Sequence, residues 1–105
     1  MSDDIRENIQ RLAAQLQGIM QQVQTVETQI REIETTLGAL ESQNPDRPVY
    51  RQVGPLLLEV DDRSALKIEL EQSRTTLDEH LGRIQGTEKE IRMAYETAVK
   101  SFEAQ

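Results

Sequence analysis

The first half of the chain carries an apolar residue at alternating steps of four and three positions. This series, the first seam, contains only aliphatic residues: Ile5, Ile9, Leu12, Leu16, Ile19, Val23, Val26, Ile30, Ile33, Leu37 and Leu40. Such spacing keeps one narrow apolar stripe facing a partner helix, whereas a surface helix of a globular domain carries a wider stripe. The pattern therefore predicts a coiled-coil helix over residues 4–42.

A second, less regular seam follows residue 61. It contains Leu66, Leu70, Ser73, Leu77, Leu81, Ile84, Glu88, Ile91, Tyr95, Ala98 and Phe102. Two steps of four fall together at Leu77, and such a stutter locally unwinds a supercoil. We expect a second helix over residues 62–103, with Asp61 and Asp62 as N-cap candidates. Because the two helices are of similar length, they are expected to pair as an antiparallel coiled coil in a mainly α fold.

A single β-hairpin is predicted over residues 48–60, between the two helices. Pro45 and Pro48 end the first helix, because proline cannot continue its hydrogen bonding. Gly54 can adopt the positive φ required at the first central position of a type II′ turn, and Pro55 suits the second position. This turn places three residue pairs on one face: Val53 with Leu56, Arg51 with Leu58, and Val49 with Val60.

The predicted hairpin is not expected to be stable alone. An isolated pair of strands is marginal in water, and its open edges would invite pairing with other chains. We therefore expect the hairpins of several subunits to join in an inter-subunit β-barrel. The residues expected to be buried by this oligomerisation are aliphatic: Val49, Val53, Leu56, Leu58 and Val60.

The composition narrows the possible partners. The net charge is −7 and the basic residues are scattered, so we expect no binding to nucleic acid. The longest aliphatic run, Leu56–Leu58, is far too short to span a membrane, and the N-terminal residues lack the pattern of a signal peptide. The chain contains no cysteine and therefore no disulfide. These features predict a cytoplasmic protein without a membrane partner.

The sequence contains no recognisable catalytic motif. It lacks the Gly-rich motif with lysine that binds nucleotide phosphates. His80 is the single histidine, and only Asp78 and Glu79 lie near it in sequence, which is too few for a ligand set. We therefore expect no enzymatic activity, no cofactor and no metal.

The hairpin segment carries a more specific signal. It reads Pro48-Val49-Tyr50-Arg51-Gln52-Val53-Gly54, is followed by Leu56-Leu57-Leu58, and leads through Asp61-Asp62 into the second helix. In this order, helix, proline-bounded hairpin and helix, the chain resembles the β-type subunit of prefoldin, in its archaeal-like form. The resemblance covers the whole chain and implies a single prefoldin-like domain over residues 1–105. One hairpin is typical of the β type, because α-type subunits carry two.

The resemblance also implies an assembly and an activity. Prefoldin is a hexamer of two α-type and four β-type subunits, in which the hairpins form a double β-barrel and six coiled coils surround a cavity. The family holds unfolded client proteins without ATP and delivers them to a group II chaperonin. We expect the same partners for this chain.

Client contacts are expected where the two helices end. Helix ends fray, so part of each seam can open there and offer apolar surface to an unfolded chain. An alternative interpretation is that these side chains only complete the coiled coil. The candidate client-binding residues are Ile5, Ile9, Leu12, Met93, Tyr95, Val99 and Phe102.

Two other functions fit parts of the pattern. A structural coiled-coil adaptor would bind one specific folded partner and would not suppress aggregation of unrelated proteins. Transcript-cleavage factors of the Gre type carry paired acids at the tip of an antiparallel coiled coil to hold a metal, and Asp61-Asp62 could play that part. However, a hairpin replaces their tight turn, and helix capping accounts for the same acids.

Overall fold

A computed structural model describes residues 2–105, and for Ser2 it describes the backbone only. In this range the elements are α1 (Ser2–Ser42), β1 (Tyr50–Val53), β2 (Leu56–Glu59) and α2 (Arg63–Glu103). The predicted architecture of two long helices joined by an antiparallel hairpin is confirmed. Neither described helix contains an apolar stretch long enough to cross a membrane.

The described residues form two compact units. The terminal unit comprises the residues up to Thr28 together with Glu79–Gln105, and the hairpin unit comprises Gln29–Asp78. In the terminal unit the start of α1 lies beside the end of α2, and in the hairpin unit the end of α1 lies beside the start of α2. The helices are therefore antiparallel within each unit.

Polar side chains form hydrogen bonds just beyond the end of α1 and at the start of α2. Beyond α1, the backbone N–H of Asp46 donates to Asn44 Oδ1 at 2.9 Å and that of Arg47 donates to Asn44 O at 3.0 Å. At the start of α2, Ala65 N donates to Asp62 Oδ1 at 3.0 Å. This bond satisfies one of the N–H groups that every helix start leaves without an intrahelical acceptor. Of the two N-cap candidates, Asp62 is thus the cap.

The hairpin has the predicted register. Val53 pairs with Leu56 and Arg51 pairs with Leu58. Beyond the strands, Val60 N donates to Val49 O at 2.8 Å, which extends the pairing by one step. Gly54 has φ +59°, and no other described residue has a positive φ. The turn therefore has the backbone that was predicted from glycine followed by proline.

The first seam forms the larger share of the core. All eleven of its residues are buried or half-buried, as predicted. On α2, Ser73 is exposed and Phe102 is 37% exposed, while the other residues of the second seam are buried or half-buried. Burial of the Ser73 hydroxyl would bring no hydrophobic stabilisation, so this side chain stays exposed. Phe102 is partly exposed because it lies in the last turn of α2. The buried apolar residues are Leu12, Ile19, Val23, Val26, Ile30, Leu37, Ile84 and Ala98.

Candidate functional site

The hairpin exposes large apolar side chains on both of its faces. Three of the predicted oligomerisation residues, Val53, Leu56 and Leu58, are exposed, by 47% in the case of Leu58. Tyr50 and Leu57 lie on the opposite face and are exposed as well, Leu57 by 68%. The sequence pattern assigned these two no role, because five of the six residues on the other face are aliphatic and only that face was predicted to be buried. Clustered exposed apolar side chains are typical of interaction surfaces.

Val49 and Val60 occupy a different environment from the other predicted oligomerisation residues. Both are half-buried. Val49 lines a cleft of about 370 Å³ with Leu40 of α1 and with Leu66 and Leu70 of α2. The base of the hairpin thus contacts the helices of its own unit, and the apolar side chains near the turn remain exposed.

Polar contacts fix the hairpin against α2. Both terminal nitrogens of Arg51 donate to the carboxylate of Glu69, at 3.3 Å each. Arg63, in the first turn of α2, donates to Arg47 O at 3.0 Å and to Asn44 O at 3.5 Å. Exposed ion pairs each contribute only about 0–1 kcal/mol. The two bonds from Arg51 to one carboxylate nevertheless orient the hairpin on α2.

A further ion pair joins the two helices in the hairpin unit. Lys67 Nζ lies 3.1 Å from Glu41 Oε1. The hydrogen bond to Glu41 and then its charge, with a smaller contribution from the charge of Glu71, raise the pKa of Lys67 above its ordinary value of 10.5. The two side chains are 44% and 61% exposed, so solvent screens the attraction.

A cleft near the helix ends gathers part of the predicted client-binding set. It measures about 510 Å³, and its apolar lining includes Ile5, Leu12, Met93 and Ala98. Met93 is 57% exposed, whereas Leu12 is 7% exposed. Met93 is therefore far more accessible to a ligand in this cleft than Leu12 is.

A second cleft of the terminal unit lies farther along α1. It measures about 410 Å³ and is lined by Tyr95, Leu16 and Met20, with three glutamines at its rim. Tyr95 belongs to the predicted client-binding set, and Met20 does not. Met20 follows the seam residue Ile19 and is exposed, so the seam pattern passed over it. The sequence signal was a large apolar residue flanking the seam in a row of glutamines.

The remaining predicted client-binding residues lie on or beside the seam. Ile9 and Val99 are half-buried. The ring of Phe102 is partly exposed, and the guanidinium carbon of Arg6 lies 5.9 Å from its centroid. This distance fits a cation–π contact, which holds the ring near the start of α1. The structure thus brings Ile5, Leu12 and Met93 into one cleft and leaves the others outside it.

Acidic and histidine side chains do not cluster in the described part of the chain. Residues 2–105 contain no group of three or more His, Asp or Glu side chains arranged to hold a metal ion. His80 is half-buried at the edge of the second seam. At the junction of hairpin and helix, Asp62 acts as a helix cap through its bond to Ala65.

Comparisons with known proteins agree with this architecture. A family described as "Prefoldin subunit" matches residues 4–104. The fold is similar to that of the prefoldin beta subunit from Thermococcus strain KS-1, with a TM-score of 0.86 and 23% identity over 98% of this chain and 90% of that one. The prefoldin beta2 subunit from the same strain has a TM-score of 0.76 and 25% identity, over 88% of this chain and 97% of that one.

Among curated proteins, none matches this sequence. The family match nevertheless extends over nearly the whole sequence, and the described residues place one hairpin between two long helices. The chain belongs to the prefoldin subunit family and has the fold of its β type.

Proposed function

We propose that this chain is a subunit of a hetero-oligomeric prefoldin that holds unfolded proteins without nucleotide and delivers them to a group II chaperonin. The family match over residues 4–104 carries this proposal. The proposed assembly contains two α-type subunits and four β-type subunits, of which this chain is one. The proposed role places the protein in the cytoplasm.

The hairpin supplies the proposed assembly surface. Val53, Leu56 and Leu58 are exposed near the turn, and Tyr50 and Leu57 add apolar area on the other face. Complete burial of a large apolar side chain contributes roughly 1.5–3 kcal/mol, and covering these partly exposed ones contributes a corresponding share of it. In the described residues the sheet has only β1 and β2, so both of its outer edges can pair with strands of other subunits.

The terminal unit supplies the proposed client-binding surface. Its two clefts combine aliphatic residues with an exposed methionine each, Met93 in one and Met20 in the other. Methionine adapts to irregular partners because its side chain is flexible and polarizable. Each contact is weak, and several subunits acting on one client would add avidity.

The first experiment measures assembly. The native mass of the purified chain is determined alone and after mixing with an α-type prefoldin subunit. We expect a complex with the mass of two α-type and four β-type subunits. Failure to form any mixed complex with several α-type subunits would contradict the proposed assembly.

The second experiment measures holding. The complex should suppress aggregation of at least two unrelated denatured proteins, equally with and without ATP. If the complex suppresses the aggregation of neither protein and binds one folded protein tightly, the result would support a structural coiled-coil adaptor instead. A reproducible requirement for ATP without chaperonin would contradict nucleotide-independent holding.

A further inference from the structure

Sulfur is unevenly distributed between the two units. The chain has three methionines and no cysteine. Met20 and Met93 belong to the terminal unit, and the hairpin unit, Gln29–Asp78, contains no methionine. Met1 lies outside the described residues. A reagent selective for thioethers would therefore act on the terminal unit and spare the hairpin.

Both described methionines are accessible and line apolar clefts. Met93 is 57% exposed and lines a cleft with Ile5 and Leu12. Met20 is 47% exposed and lines another with Leu16 and Tyr95. A thioether buried in a core is protected from solution oxidants, whereas these two are open to them.

We propose that Met20 and Met93 are oxidation sites through which peroxide lowers the client affinity of this chain. The inference rests on the proposed function, because it assigns regulation to the proposed client surface. A lone pair of the thioether sulfur attacks one peroxide oxygen, an S–O bond forms and the O–O bond breaks. Sulfur loses two electrons, and the hydroxide that leaves takes up the remaining peroxide proton, so the products are one sulfoxide and one water.

The change in polarity accounts for the expected effect. A sulfoxide is polar and chiral, and its oxygen accepts hydrogen bonds from water. At Met20 and Met93 it would replace apolar lining with a hydrated group that a client side chain must displace. The apolar residues exposed on the hairpin carry no sulfur, so assembly should survive the treatment that weakens holding.

The oxidation is reversible by known chemistry. Methionine sulfoxide reductases reduce the sulfoxide to the thioether, and each of the two sulfoxide epimers has its own reductase. With a dithiol as reductant, the sulfoxide oxygen leaves as water and the dithiol becomes a disulfide. Restored holding after this treatment would distinguish a switch from irreversible damage.

The test uses the complex of this chain with its α-type partner. Wild type is compared with Met20→Leu/Met93→Leu, since leucine keeps the volume and apolar character. Both are treated with hydrogen peroxide, and peptide masses report oxygen uptake at each position. Met1 remains in both complexes, and the partner subunit is the same, so oxidation elsewhere affects both equally.

We expect oxidised wild type to need about five- to tenfold more complex for the same suppression of aggregation, as for the loss of one or two apolar contacts. Whatever its activity before treatment, the double variant should lose much less of it to peroxide than wild type does. Native mass should stay unchanged in both. The inference would be overturned if wild type kept its full suppression of aggregation with both sulfoxides confirmed by peptide mass. It would also be overturned if the double variant lost as much suppression as wild type.

A second readout separates this inference from the proposed function. If the untreated complex holds no client, the proposed function fails, and binding of the dye 8-anilinonaphthalene-1-sulfonate then tests the clefts directly. Peroxide should lower dye fluorescence of wild type and leave that of the double variant unchanged. If wild type binds the dye equally before and after oxidation, then oxidation does not change the clefts. The inference then fails, whatever the outcome for the proposed function.

Discussion

The terminal unit and the hairpin unit place their apolar side chains differently. In the terminal unit most large apolar residues are covered, and the exposed ones, Met20, Met93 and Phe102, are separated along two helices. In the hairpin unit the sixth exposed one, Ile68, lies on α2, and the other five lie around a single turn: Tyr50, Val53, Leu56, Leu57 and Leu58. The exposed apolar side chains are thus scattered in the terminal unit and clustered in the hairpin unit.

Under the proposed function, the hairpin unit is the one that depends on other subunits. Scattered exposed apolar residues are normal on a folded protein, whereas a contiguous apolar patch marks an interface. Substitutions in the hairpin should therefore change assembly, and substitutions in the terminal unit should change holding. The predictions below test whether the two effects separate.

The largest effect is expected from Leu58→Asp in the hairpin. It would place a carboxylate in the assembly surface, and removing that charge from water costs several kcal/mol even with Arg51 opposite it in the hairpin register. Native mass spectrometry should show loss of the hexamer, while far-UV circular dichroism stays largely helical. Val53→Asp should act in the same way.

Met20→Asp is the matched control for Leu58→Asp. Met20 and Leu58 are both 47% exposed in the isolated chain, so exposure alone cannot explain a difference. The complex with Met20→Asp should keep its native mass and lose holding. Equal loss of assembly in both variants would show that the division between units is wrong.

The next prediction concerns the ends of the helices. Removal of residues 1–12 together with 93–105 deletes the cleft that contains Ile5 and Met93 and leaves the hairpin intact. Aggregation suppression should fall to background, and the hexamer should persist by native mass. A truncated complex that still holds denatured proteins at full strength would place client binding elsewhere in the assembly.

Much of the hairpin and of the first seam could be predicted, because their determinants are local. The spacing of seam residues such as Val23 and Val26 reports burial directly, and Gly54-Pro55 selects one turn and therefore one register. The exposure of a residue beside the seam depends on how closely the second helix covers that side of the first helix. The spacing of apolar residues does not encode this. Met20 and its cleft therefore became visible only in the structure.

Smaller changes in stability, opposite in sign, are expected when two glycines are replaced by alanine. Gly54 has φ +59°, so Gly54→Ala should destabilise the hairpin unit by about 1–2 kcal/mol, the cost of a left-handed conformation for a residue with a Cβ. Gly86 lies within α2 in the terminal unit, with no atom within 4 Å of an added Cβ. Gly86→Ala should therefore stabilise by up to about 1 kcal/mol. Chemical denaturation of the complexes measures both, and the same sign at both sites would contradict the argument.

The smallest effect is expected from the Lys67–Glu41 pair. Because the pKa of Lys67 is raised in the folded chain, the pair stabilises the fold below the unfolded value of 10.5 and loses this contribution as the pH rises through the folded pKa. Glu41→Gln should lower the Tm slightly at about pH 8, and the difference from wild type should vanish at about pH 12. Glu88→Gln is the control in the terminal unit, since Glu88 pairs at 2.6 Å with an arginine, Arg92, and not with a lysine. Its Tm difference should stay constant with pH, and a Glu41→Gln difference that also stays constant would show that Lys67 does not carry the effect.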